Sequence, residues 1–138
     1  MKIVGFNLLK INVERKEKLE DEKLSVNQNI NIKDITGDRI IIGKEEAIKV
    51  RFNFIIDYSN NSAKIDFEGL VIILPEKDEA RQFLKSWKDR KIPDEFKIPI
   101  FNFIVGKCTI KALSLEDEFA LPLHFPMPRL QPENQENN

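Results

Sequence analysis

Few residues in this sequence could carry acid–base or metal chemistry. The chain contains one histidine, His124, and one cysteine, Cys108. His124 lies in a proline-rich segment with no cysteine beside it, whereas a metal site or a nucleophilic triad needs several such side chains close together. The sequence therefore predicts that His124 is a packing or surface residue, neither a metal ligand nor a catalytic base.

Two further patterns, a run of acids and the distribution of the glycines, could indicate a cation site or a phosphate site. The adjacent acids Glu116, Asp117 and Glu118 could bind a cation, but acids near a helix end are usually solvated, and we expect that here. The five glycines stand at positions 5, 37, 43, 69 and 106, so they form no Gly-rich phosphate loop. The sequence predicts no catalytic residue, no metal and no cofactor. A small-ligand enzyme is accordingly the weakest functional class.

The amino-acid composition limits the classes of partner that this protein is expected to bind. Lysine and arginine number 22 against 23 acidic residues, which gives a net charge of -1. No basic stripe interleaved with aromatic residues appears, so a nucleic-acid partner is not expected. The longest apolar runs, such as 70–74, are far shorter than the roughly 20 residues that span a bilayer, so no membrane insertion is expected. Cys108 lies in an apolar run and is predicted to be a core residue; a single cysteine suits the reducing cytoplasm.

The longest alternating pattern covers residues 48–74 and predicts two strands joined by a turn at 59–62. Every second residue of the first strand is apolar, which places one face in the core and the other in water. In the second strand Leu70, Ile72 and Leu74 make the other face apolar as well. That part of the strand needs a cover, which is either the chain's own helices or a partner.

Two earlier segments also alternate. Residues 3–13 and 24–33 are predicted strands, and 39–43 is a short apolar link that could form a further half-strand. Because the connections between neighbouring strands are short, the sequence predicts an antiparallel meander of about four strands.

The pattern changes to helical spacing after Pro75. Residues 76–91 are predicted to form an amphipathic helix whose apolar stripe ends at Trp87, expected to be a core residue. A linker follows at 92–97. Pro99 suits a first helical position, so a second helix is predicted over 100–115. The fold class is therefore α+β, with two helices after the sheet.

The C-terminal region divides at Leu130. Residues 121–130 hold three prolines between large apolar residues and are predicted to be extended. They either pack permanently as part of the fold or form a displaceable cover. Residues 131–138 are predicted to be a disordered tail, which leaves 1–130 as a single domain.

In its layout the chain resembles the SecB export-chaperone family. The matching parts are the strand pair 48–74, the helix 76–91, the proline-containing linker 92–99, the helix 100–115 and the terminal stretch 121–130. The resemblance implies an α+β fold, a dimer of dimers and grooves that hold unfolded polypeptide. Some relatives serve as chaperones for antitoxins. The chain differs from SecB proteins in charge, because those are typically markedly acidic.

Two functional hypotheses follow. The first is an ATP-independent chaperone or holdase that binds non-native polypeptide in an apolar groove; the second is an interaction subunit with one dedicated protein partner. The predicted groove residues are Leu70, Ile72, Leu74, Phe96 and Ile98, the last two in the linker between the helices. Self-association into a dimer or tetramer is also predicted, because the apolar surface exceeds what one helix can cover. The predicted oligomer interface consists of Ile100, Phe103 and Ile104.

Overall fold

The computed structural model describes residues 1–19, 24–42, 45–76 and 78–126, with backbone only at 38–42 and 45. The predicted tail at 131–138 and the end of the proline-rich segment lie outside these residues. The elements are β1 (Lys2–Arg15), β2 (Val26–Ile42), β3 (Glu45–Tyr58), a 3-10 turn (Ser59–Asn61), β4 (Ala63–Leu74), α1 (Glu79–Lys88) and α2 (Asp94–Glu118). The predicted α+β class, with four strands followed by two helices, is confirmed.

The strands form one antiparallel sheet in the order β1-β4-β3-β2. Strands β2 to β4 make the predicted meander, whereas β1 pairs with β4 instead of β2. This pairing sets Phe6 of β1 opposite Val71 of β4, so the apolar residues of β1 extend the apolar face of β4. Strands β1 and β2 are therefore the two edges of the sheet.

Strand β2 is longer than predicted. Residues 26–33 and 39–42, predicted as parts of separate pieces, belong to a single strand that pairs with β3 as far as Ile42. Register shifts between Ile32 and Asp34, and between Asp38 and Ile41, interrupt the pairing. Such bulges let a strand bend and continue. The alternation of apolar and polar residues is therefore interrupted in the sequence although the strand itself continues.

The core lies between one face of the sheet and the helices. Phe52, Phe54 and Phe67 of the central strands are completely buried on this face. Helix α1 packs against β2, and α2 packs against β4. A close approach in the sheet requires Gly69, because a Cβ there would lie 2.6 Å from Cζ of Phe52 and 2.7 Å from the backbone oxygen of Asn7.

Helix α1 is shorter than predicted. The backbone N–H of Glu76 donates to Glu79 Oε1 at 2.6 Å, and the N-terminal ammonium group lies 2.9 Å from the same oxygen. Glu79 thus ties the start of the helix to the beginning of β1. The helix begins at this residue and not at Glu76.

Helix α2 begins five residues before Pro99, which corrects the predicted linker. The backbone N–H groups of Phe96 and Lys97 both donate to the Pro93 oxygen at 2.9 Å, so the first turn forms directly after Pro93. Pro99 lies inside the helix, where a proline costs about 3 kcal/mol in isolation. Burial of Phe96 and Ile100 on either side of it offsets that cost.

Helix α2 is also long and apolar enough, by length and composition alone, to cross a membrane. Its buried residues form one stripe against the sheet, with members at 96, 100, 104, 108, 112 and 115. Apolar residues on its other faces are solvent-exposed, with Ile98 60% and Ile110 73% exposed. A core helix of this composition therefore leaves apolar surface uncovered in the protomer.

Candidate functional site

A groove of about 540 Å³ opens between the edge strand β2 and the connection from α1 to α2. Strand β2 contributes one wall, and the end of α1, the connection and the first turns of α2 contribute the other. The lining residues are Ile30, Asn31, Ile32, Lys33, Trp87, Arg90, Lys91, Ile92, Lys97 and Phe101.

The floor of the groove is apolar. Its five members are all half-buried: Ile30, Ile32, Trp87, Ile92 and Phe101. The indole N–H of Trp87 donates to Asp34 Oδ1 at 3.3 Å, which holds the ring across the groove. Half-buried aliphatic and aromatic side chains beside open space are the usual lining of a binding site, because a ligand can remove their remaining surface from water.

The rim of the groove is basic. Its four cations are all solvent-exposed: Lys33, Arg90, Lys91 and Lys97. Within the described ranges, none of them lies within 4.0 Å of a carboxylate oxygen. The Arg90 guanidinium lies 4.8 Å from the Trp87 ring centroid, and Lys97 Nζ lies 5.5 Å from that of Phe101. Cation–π contact thus holds two rim charges over the floor.

The backbone at the end of α1 positions Arg90. The Arg90 N–H donates to the Trp87 oxygen at 2.8 Å and the Lys91 N–H to the Ser86 oxygen at 3.2 Å, a Schellman arrangement. Its left-handed residue is ordinarily glycine, but here it is Arg90 with φ at 57°. A non-glycine residue in this conformation costs about 1 kcal/mol. The same conformation places the Arg90 guanidinium over the Trp87 ring.

The outer side of β2 adds backbone hydrogen-bonding capacity to this groove. In the part of the chain that the structure describes, β2 pairs with β3 alone, so its other edge carries unpaired N–H and C=O groups. An exposed strand edge is a template for an added strand. The groove therefore combines an apolar floor, a basic rim and a backbone edge.

A second polar cluster lies where α2 ends. Glu116 is completely buried, and its carboxylate oxygens lie 2.8 and 2.9 Å from His124 Nδ1. The Tyr58 hydroxyl lies 3.1 Å from Glu116 Oε2 and 2.5 Å from the backbone oxygen of Pro122. Burial, together with the charge and hydrogen bond of Glu116, raises the pKa of Tyr58 above its usual range.

This cluster links segment 121–126 to the body of the protein. His124 Nε2 is buried without a hydrogen-bond partner among the described residues. Over the same residues, no group of three or more His, Cys, Asp or Glu side chains could hold a metal ion. What the cluster does is bind segment 121–126 to β3 and α2. The prediction that all three acids at 116–118 are solvated is wrong for Glu116.

The predicted polypeptide-binding residues do not form one surface. Leu70, Ile72 and Leu74 are half-buried and alternate with core residues of β4, so they lie on the sheet face opposite the helices. Phe96 is 4% exposed and stacks on Phe83 at 4.3 Å between ring centroids. Ile98 alone is well exposed on the helix side. Phe96 is a core residue of α2, which corrects its predicted place in the linker between the helices.

The residues of the predicted oligomer interface do not lie on one exposed surface either. Ile100 and Ile104 are completely buried in the protomer's own core, which corrects the prediction that they face a second copy. Phe103 is half-buried, with its ring centroid 5.9 Å from that of Phe6 on β1. These residues join the helix to the sheet because the helical stripe from Phe96 onward faces inward.

The residues of the groove were not predicted from the sequence. Trp87 was expected in the core, and it packs against the core with one side while the other lines the groove. A usable signal was the sequence Trp87-Lys88-Asp89-Arg90-Lys91, in which three cations follow a tryptophan near the end of the helix. The participation of Ile30 and Lys33 had no such signal, because it depends on β2 being an edge strand beside α1.

Comparison with known proteins identifies the fold. No family model matches this chain, and no curated protein matches its sequence. Among solved structures, the chain is similar to the SecB-like chaperone Rv1957 of Mycobacterium tuberculosis, in complex with a ChAD peptide from the Rv1956 HigA1 antitoxin. The TM-score is 0.57 at 14% sequence identity, over 94% of this chain and 90% of that one. The SecB-like fold inferred from the layout is confirmed.

Proposed function

We propose that this protein is a chaperone-like binder of extended polypeptide, and that the groove beside β2 is its binding site. The observation that carries the proposal is an open groove of about 540 Å³ whose apolar floor adjoins an unpaired strand edge. The fold supports the proposal as well, since a SecB-like chaperone of this architecture has been solved with a peptide bound.

Binding in this groove needs two kinds of contact. The backbone of an extended segment pairs with the outer edge of β2, and alternate side chains enter the floor beside Ile32 and Trp87. Each square ångström of apolar surface removed from water contributes about 25 cal/mol. Both contacts form without a nucleotide, so the proposed activity is that of an ATP-independent holdase.

A dedicated partner is the second candidate function. The solved SecB-like chaperone is in complex with a peptide from an antitoxin, which supports a protein partner for this chain. The two candidates differ in promiscuity. A holdase prevents aggregation of unrelated unfolded proteins at near-stoichiometric ratios, whereas a dedicated subunit co-purifies with one protein from the native cell.

The groove is tested by comparing two alanine variants in a light-scattering assay with a heat-unfolded reporter enzyme. Trp87→Ala removes the main floor residue, and we expect it to lose most of the suppression of aggregation. Ile110→Ala is the matched control, because Ile110 is an apolar residue of α2 that is 73% exposed and lies outside the groove. Equal activity of wild type and Trp87→Ala would exclude the groove as the binding site.

We also propose that the protein forms a homo-oligomer, a dimer or a tetramer. Strand β1 supports this, because it is a 14-residue edge strand with Leu9 49% and Ile11 44% exposed. Long edge strands with exposed apolar residues associate readily in solution. Ile98 and Ile110 add exposed apolar surface on α2.

A further inference from the structure

The charge of the groove differs from that of the chain. Four cations rim it and no carboxylate lines it, whereas the whole chain has a net charge of -1. The acid nearest to the floor, Asp34, already accepts the N–H groups of Ile35 and Trp87 through Oδ1. Asp89, Asp94 and Glu95 are neighbours in sequence, yet none of them lines the groove. The described residues form no ion pair with the rim cations, so a bound carboxylate can pair with them without displacing one.

The rim cations are distributed on two sides of the apolar floor. Lys33 lies on β2 at the register shift between Ile32 and Asp34, while Arg90 and Lys97 stand on the helical wall. A strand added to β2 would send alternate side chains into the floor and those between them to its opposite face, away from the helical wall. Side chains flanking the floor contacts would reach Arg90 and Lys97.

We propose that this groove selects extended segments in which acidic residues flank a stretch of aliphatic or aromatic ones. The inference rests on the proposed function and specifies its client chemistry. Apolar residues of the client cover the floor, and its carboxylates pair with the four rim cations. Opposite charges directly across paired strands stabilise a sheet, whereas like charges destabilise it, so a basic segment is disfavoured.

The test uses the full chain and three synthetic peptides without tryptophan. The peptides share the same apolar positions and carry Glu, Gln or Lys at the positions that flank them. Trp87 is the only tryptophan of the chain, so its emission reports occupancy of the groove directly. At low salt we expect the Glu peptide to bind about tenfold more tightly than the Lys peptide, since three exposed ion pairs of ordinary strength supply that ratio. The ratio should shrink at high salt.

A charge-reversal variant makes the test specific. In Arg90→Glu/Lys97→Glu we expect the preference to invert, so that the Lys peptide binds more tightly. The matched control is Lys85→Glu/Lys111→Glu, which changes the net charge equally at exposed positions of α1 and α2 outside the groove. The control should keep the wild-type preference, and circular dichroism checks that both variants are folded.

The possible outcomes separate the two proposals. Equal affinity for the Glu, Gln and Lys peptides overturns the acidic preference and leaves the groove as a polypeptide site. No response of Trp87 to any of the peptides overturns both. Emission that changes with protein concentration alone assigns the groove to a second copy of the chain. A synthetic peptide of residues 127–138 that binds more tightly than the Glu peptide assigns the groove to the chain's own C-terminal segment. Either assignment overturns the client proposal.

Discussion

The carboxylate of Glu116 and the imidazole of His124 lie 2.8 Å apart in the interior of the protein, where both side chains are almost fully removed from water. Both carboxylate oxygens approach Nδ1, and one of them also accepts the His124 backbone N–H at 3.1 Å. A buried carboxylate needs such donors, because an unpaired charge in the interior is strongly destabilising. The pair therefore holds segment 121–126 in place.

Replacing the Glu116 carboxylate with a neutral amide should lower the stability of the folded protein. In Glu116→Gln we expect the free energy of unfolding to fall by about 2 kcal/mol, the ordinary cost of losing charge-assisted hydrogen bonds to buried donors. Urea denaturation measures the change. Glu118→Gln is the control, since Glu118 is exposed two residues further on. Equal stability of the two variants would contradict the structural role of the pair.

Truncation should show whether the proline-rich segment belongs to the core. Leu121 is buried, and Pro122 accepts the Tyr58 hydroxyl through its backbone oxygen. A chain ending at Ala120 loses both contacts as well as His124, so we expect about 3–5 kcal/mol less stability, or precipitation. A chain ending at Pro126 retains every described contact and serves as the control. A stable chain ending at Ala120 that binds unfolded polypeptide better would instead make the segment a displaceable cover.

Tyr58 should make the protein sensitive to alkaline pH. Its pKa is raised in the folded state, so the protonated hydroxyl stabilises the fold. This contribution is complete below the unfolded pKa of about 10 and is lost as the pH rises above it. Tyr58→Phe removes this part of the pH dependence, and urea denaturation between neutral and alkaline pH measures it. Tyrosinate absorbance reports the group itself, as Tyr58 is the only tyrosine. Titration of Tyr58 in the native protein at its ordinary pKa would refute the prediction.

The edge of β1 should control self-association. We expect the wild-type protein to sediment as a dimer or tetramer at micromolar concentration. Ile11→Lys places a charge among the exposed apolar residues of this edge strand and should shift the population toward the monomer. Asn12→Lys is the matched control, because it adds the same charge at the neighbouring position, which points to the other sheet face. A monomeric wild-type protein would remove the basis of the proposal.

The amino-acid sequence alone determined the class of the fold. Alternation through 48–74 indicates which residues of β3 and β4 face the core, since side chains in a strand point to opposite faces in turn. Helical spacing indicates the stripes of α1 and of most of α2 in the same way. These are local patterns with a single period, so each can be recognised without knowing what lies beside it.

Relations between distant residues were decided by the tertiary structure. Alternation assigns faces but not neighbours, so it did not show that β1 pairs with β4 or that β2 is an edge. Pro99 suggested a boundary, yet the burial of Phe96 against Phe83 extends α2 past it. Tyr58 and Glu116 meet across 58 positions of sequence. The basic groove likewise exists because the end of α1 comes to rest beside β2, and no local pattern encodes that packing.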